Sequence, residues 1–176
     1  VEQFENAIKN YVGSDYCLTL NSGTSALHAS LLAYELGMND EIIVPSFTFI
    51  STVNSVLFVD AKPTFAEIEE ANLGLDPELI QERISSRTKA VIPMDCGGLP
   101  CKIFEIKKQI EDTKLILIED AAEALGSSVK GIKVGSNTDA TIFSFTGNKV
   151  LTTGEGGAIT TNSREIYEKI KLIRSH

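Results

Sequence analysis

The sequence predicts an α/β fold, a sheet covered by helices on both faces, on two observations. Short apolar runs rich in Ile, Val and Leu alternate with segments of helical period along the whole chain. Several of those runs are apolar at successive positions, the mark of central strands buried on both faces.

An amphipathic helix is expected over 1–11, followed by a strand over 16–20 and a helix over 25–36 that opens in a Gly/Ser/Thr segment. The run over 41–44 is a strand closed by Pro45, and the helix after it covers 48–59. A strand over 63–66 leads to Asp76-Pro77, which reads as an N-cap followed by proline at the first helical position of a helix over 77–84. Strands over 89–94 and 115–119 flank a helix over 104–111. Strands over 140–145 and 157–161 and a helix over 164–173 complete the order. No repeat, low-complexity tract or linker interrupts it, so residues 1–176 are expected to form one domain.

The net charge of −8 repels nucleic-acid phosphates and anionic membranes, so no nucleic-acid or membrane partner is expected. A bound anion must be held by local donors. Cys17, Cys96 and Cys101 contain no C-x-x-C pair, and only His28 and His176 could join them, so no metal site is expected. Without an 18-residue apolar run or a basic leader, a cytoplasmic location is expected. Val1 falls inside a helical pattern and the chain ends without a terminal signal, which is expected of a fragment.

In open α/β sheets, ligands bind outside the carboxyl ends of the strands. Asn21-Ser22-Gly23-Thr24-Ser25-Ala26-Leu27 comes after the strand over 16–20 and offers free N–H groups and hydroxyls for an anion, although Thr24 or Ser25 acting as a plain helix cap explains the same residues. It is not a P-loop. Asp120 ends the apolar run over 115–119, where an acid is costly without a cation or proton-bearing nitrogen; capping of a following helix is the alternative. Lys149 lies just past the strand over 140–145 in an apolar, Gly-rich setting that suits an amine nucleophile, whereas most lysines are solvated surface residues. The Gly154-x-Gly156-Gly157 run precedes a strand rather than a helix, against a dinucleotide site. Phe47 and Phe49, after the strand over 41–44, are either core residues or a plate for a flat ring. A ligand with a phosphate, a basic ring nitrogen, an aldehyde and a planar ring uses all four strand ends, and pyridoxal phosphate is that ligand.

These segments, together with Glu119-Asp120-Ala121-Ala122-Glu123-Ala124, Phe143-Ser144-Phe145-Thr146-Gly147-Asn148-Lys149 and Thr152-Thr153-Gly154-Glu155-Gly156-Gly157, resemble the DegT/DnrJ/EryC1/StrS sugar aminotransferases in order and spacing over nearly the whole chain. The resemblance implies the three-layer α/β/α large domain of the type I pyridoxal-phosphate aminotransferase fold, with a mixed, mostly parallel seven-stranded sheet. It implies that Lys149 is the Schiff-base lysine and that Asp120 pairs with the ring nitrogen. Thr24, Ser25 and Ser144 would hold the phosphate. Phe49 would stack on the ring, with Phe47 turned into the core, and Glu123 would stand near the phenolic oxygen, where the family often has Gln or His.

The implied reaction is transfer of an amino group from an amino acid, glutamate in the first instance, to a nucleotide-linked 4-keto-6-deoxy sugar by a homodimer. The small domain usual in the family is expected to lie outside these 176 residues. Asp95-Cys96-Gly97-Gly98-Leu99-Pro100 stands where the family often has His-x-x-Gly-x-Pro. The family also contains dehydratases with histidine in place of the lysine, so Lys149 points to transamination. A cysteine desulfurase or amino-acid aminotransferase would place the lysine and ring acid differently in local sequence. Joint retention of Lys149, Asp120 and Ser144 argues against a non-catalytic regulator of the same fold.

Overall fold

The structure, a computed structural model, describes residues 1–175; His176, a candidate metal ligand by sequence, lies outside them. Helix α1 (Glu2–Val12) leads into β1 (Tyr16–Leu20), and α2 (Gly23–Ala33) into β2 (Glu41–Pro45). Then come α3 (Ile50–Phe58), β3 (Lys62–Ala66), α4 (Pro77–Ile80), β4 (Thr88–Val91), α5 (Ile103–Ile110) and β5 (Ile116–Asp120). A hairpin of β6 (Ser128–Val129) and β7 (Ile132–Lys133) precedes β8 (Ala140–Ser144), β9 (Gly157–Thr161) and α6 (Arg164–Ser175).

The seven expected strands form one sheet in the order β1-β9-β8-β5-β4-β2-β3, with β9 antiparallel to both neighbours and the other pairings parallel. Successive strand residues point to opposite faces. Leu18, Ile42, Val44, Ile118, Ile142 and Ile159 pack with α2, α3 and α6 in one cluster. Their neighbours point the other way: Ile43, Val91 and Leu117 meet α4 and α5, while Cys17, Phe143 and Ala158 meet α1. The result is the three-layer α/β/α arrangement that the apolar runs predict.

Several boundaries differ from the sequence reading, each for a local reason. The helix expected to start at Ser25 starts at Gly23, because Ser22 is the N-cap and its Oγ accepts the Ser25 N–H at 3.0 Å. Thr24 and Ser25 are therefore not the cap. Asp76 caps α4 through the Glu78 N–H as expected, but the α-helix ends at Ile80 and continues as a 3₁₀ turn over Gln81–Arg83. Asp120 caps no helix: its Oδ1 accepts the Ala122 N–H at 3.2 Å in a turn. The β6–β7 hairpin is an addition to the expected elements; its turn residues Lys130 and Gly131 both have positive φ, 52° and 80°, as a two-residue hairpin requires.

This topology brings the carboxyl ends of β1, β5 and β8 and the start of β9 to one edge, because Gly157 pairs with both Leu20 and Ser144. Gly157 is held there by close approach. A Cβ on it would lie 2.3 Å from the Ser22 carbonyl oxygen and 2.7 Å from the Gly23 amide nitrogen. Gly157→Ala must push β9 away from the start of α2, and a loss of about 1–3 kcal/mol is expected in urea unfolding followed by circular dichroism. Wild-type stability in that variant would show that the contact is not tight.

Candidate functional site

The cleft at this edge is a cavity of about 240 Å³ whose wall includes Gly23, Thr24, Phe49, Asp120, Glu123, Ser144 and Lys149. Every expected site residue except Ser25 thus meets in one place. Ser25 is not on this wall: its hydroxyl bonds Ser22 Oγ at 2.9 Å, and it lines a separate cavity of about 790 Å³ with His28 and Arg174.

One end of the cleft gathers N–H and O–H donors. The first-turn N–H groups of Gly23 and Thr24 have no intrahelical acceptor, and the positive end of α2 lies beside them. Gly23 sits so close to β8 that a Cβ there would fall 3.0 Å from Ser144 Cβ, which leaves the Ser144 hydroxyl beside the helix start. Thr24 Oγ1 bonds Ser51 Oγ at 2.8 Å, bringing another hydroxyl to the wall.

The other end is built around an acid. Asp120 is 2% exposed, and its Oδ2 accepts the Thr52 hydroxyl at 2.7 Å while Thr52 accepts from Thr48 at 2.8 Å. Burial pushes the Asp120 carboxyl up from its ordinary range, opposed by Thr52, by the Ala122 N–H and by the Lys149 ammonium. Thr52 and Met94 escaped the sequence reading. Thr52 lies 68 residues from its partner and reads as an ordinary helix position; Met94 supports Phe49 by accepting its N–H at 3.3 Å.

Lys149 enters from the loop after β8, where its N–H donates to the Thr146 carbonyl at 3.0 Å. Its Nζ donates to Glu123 Oε1 at 3.0 Å and stands 5.8 Å from the centre of the Phe49 ring. Glu123 Oε2 accepts the Gly97 N–H at 2.8 Å. Burial raises the Glu123 carboxyl, but Lys149 and the Gly97 N–H outweigh it and hold the group below its ordinary value. Phe49 is on the cleft wall as expected. Phe47 is not in the core: it is 52% exposed, because the chain turns between Pro45 and the start of α3 and leaves Phe47 outside the packed layers.

The model of the DegT/DnrJ/EryC1/StrS aminotransferase family matches residues 1–176. A GDP-perosamine synthase of Caulobacter vibrioides is 41% identical over 174 residues, which are 99% of this chain and 47% of that protein. A solved aminotransferase from Psychrobacter cryohalolentis superposes with a TM-score of 0.97 at 34% identity, over 99% of this chain and 45% of that one. The PLP-form of a sugar aminotransferase, Spr1654 from Streptococcus pneumoniae, gives 0.92 at 28% identity, over 97% and 49%. The chain spans about half the length of the curated relatives it matches.

Thr52→Val keeps the shape and removes the donor to Asp120 Oδ2, a loss of about 1–3 kcal/mol for a buried acceptor left unpaired. The folded Asp120 carboxyl lies above its ordinary value, so its ionised form is the disfavoured one and its contribution to stability falls as pH rises. The Thr52 hydroxyl stabilises that ionised form. The loss in Thr52→Val is therefore expected to be largest at neutral pH and to shrink in acid, as read by unfolding at several pH values. A loss independent of pH would mean that the hydroxyl does not act on the charge.

Proposed function

The chain belongs to the DegT/DnrJ/EryC1/StrS aminotransferase family, and from that premise we propose that residues 1–176 are the large domain of a pyridoxal-phosphate enzyme that aminates a nucleotide-linked keto sugar. The observation that carries this reading is the delivery of Asp120 from the end of β5 and Lys149 from the loop after the adjacent β8 into one cleft with the N-terminus of α2.

The residues fit the cofactor. The Gly23 and Thr24 N–H groups with the Thr24 and Ser144 hydroxyls would hold its phosphate. The buried Asp120 carboxyl, pushed toward neutrality by its surroundings, would be held as an anion by the protonated ring nitrogen. Phe49 would cover one ring face and Glu123 would stand near the phenolic oxygen. When bound, the cofactor supplies an electron sink for the carbanion formed at the substrate's α-carbon.

The chain's own contribution is positioning and proton transfer. Lys149 would hold the cofactor's aldehyde carbon, and its amine would be placed to carry a proton to and from the substrate carbon, with Glu123 as the fixed partner that keeps it over the cleft. Kinship to a GDP-perosamine synthase supports a nucleotide-linked sugar; a 4-keto-6-deoxy sugar as acceptor and glutamate as donor are what the family resemblance adds to the proposal.

A homodimer is part of the proposal. Ile50, Leu57 and Phe58 on α3 and the nearby Phe47 are each more than half exposed, which a second subunit or the remaining domain would cover. A cytoplasmic location agrees with three free cysteines, and no described helix is long and apolar enough to cross a membrane.

Full-length protein with pyridoxal phosphate is expected to change its visible spectrum on addition of glutamate and to recover it on addition of the keto sugar. Lys149→Gln should lower turnover by about 100- to 10,000-fold, and Asp120→Asn should bind cofactor yet lose amino transfer. Full rates in Asp120→Asn would remove the acid from this role, and sulfide release from cysteine in place of sugar amination would favour a desulfurase.

A further inference from the structure

Behind the wall that carries Asp120 lies a second set of acids that amino transfer does not use. Asp95, in the segment after β4, is fully buried, and Glu119, which precedes Asp120 on β5, is 2% exposed. One oxygen of each and Cys101 Sγ lie within 4.8 Å of one another. Asp95 Oδ1 accepts the Cys101 N–H at 2.8 Å, whereas its Oδ2 is buried and has no hydrogen-bond partner among the described residues. Glu119 Oε2 accepts the Thr141 hydroxyl from β8 at 3.1 Å.

No cation among the described residues balances these acids. The ion pairs there leave both of them out. Lys149, the cation of the cleft, is paired with Glu123 and also acts on Asp120. Lys133, which lines the small cavity beside Glu119, turns its ammonium to the Tyr11 carbonyl and ring. Two adjacent buried carboxylates without a cation are strongly disfavoured unless a proton joins them.

The direction of titration agrees. Burial lifts Asp95 to about 6, against the pull of the Cys101 N–H and thiol and with added repulsion from Asp120. Glu119 is pushed well up by burial and by the charge of Asp95, and the Cys101 thiol is likewise held neutral by burial.

We propose that Asp95 and Glu119 share one proton at neutral pH and serve as a positioning pair for Asp120. The backbone makes the connection: the Asp95 N–H donates to the Asp120 carbonyl at 3.0 Å, and the Asp120 N–H donates to the Pro93 carbonyl at 2.9 Å. A proton held in the pair ties the segment after β4 to the end of β5. It also removes one of two negative charges from the back of Asp120, which would otherwise drive that carboxyl further toward its neutral form. A metal ion is the other way to join the same atoms. The cavity that reaches Glu119 is about 10 Å³, no larger than one water, and one Asp95 oxygen is already committed to the Cys101 N–H, so the proton is favoured.

The pair follows from burial and geometry and stands whatever ligand meets Asp120; only its effect on Asp120 in catalysis rests on the proposed amino transfer. Infrared spectra of the full-length protein at neutral pH, in light and heavy water, test the two separately from any turnover assay. Wild type is expected to show the carbonyl stretch of a protonated carboxyl, shifted by deuterium. Asp95→Asn and Glu119→Gln should each fold and shift or remove that band, because each takes away the proton or the oxygen that shares it. Absence of the band in wild type overturns the proposal without recourse to either variant, and so does a band that both substitutions leave unmoved. Stoichiometric metal in wild type, lost from both variants, overturns it in favour of a cation.

Discussion

Burial of one carboxylate at the end of the central strand is the constraint on which this arrangement turns. An unpaired charge in that position costs several kcal/mol, and three groups around Asp120 answer it. Thr52 comes from α3, the Ala122 N–H from the turn after β5 and the Lys149 ammonium from the loop after β8. These parts are far apart in sequence. The parallel order of β8, β5 and β4 makes them neighbours, because it sends their carboxyl ends to one edge.

The same edge carries the start of α2, so the cleft has a carboxyl wall at Asp120 and a positive helix end near Ser144. That polarity suits a flat ligand with a basic nitrogen at one end and an anion at the other. Lys149 and Glu123 lie on the wall between them as an ion pair in which the lysine is mostly covered. The close approach of Gly157 to Ser22 and of Gly23 to Ser144 sets the helix end by packing, whereas hydrogen bonds set the acid end.

Much of this was legible in the sequence because strands buried on both faces are apolar at successive positions and stop where polar residues begin. Asp120, Ser144 and Lys149 all stand at or just past the end of such a run, where a ligand is expected to meet the sheet. The cap of α2 was not legible in the same way. Ser22, Thr24 and Ser25 all carry a hydroxyl near Gly23, and which one caps depends on where β1 releases the chain. Phe47 and Phe49 differ by two positions, and only the turn into α3 decides that Phe49 meets the cleft and that neither enters the core. Thr52, Met94 and the Asp95–Glu119 pair depend on contacts between distant segments and carry no local pattern. Asp95 was visible as a departure from the family's usual histidine, but its burial was not.

Attachment of the cofactor to Lys149 has a direct chemical test. The two lysines that most closely precede Lys149 in sequence are otherwise engaged: Lys133 lies 3.6 Å from the Tyr11 ring centre, and Lys130 pairs with Glu105 at 3.1 Å. Full-length protein loaded with pyridoxal phosphate is reduced with borohydride, digested and mapped by mass spectrometry. Bleaching of the visible band with the reduced label on the peptide containing Lys149 is the predicted result. Label on Lys130 or Lys133, or no label at all, would contradict both the site and the reaction derived from it.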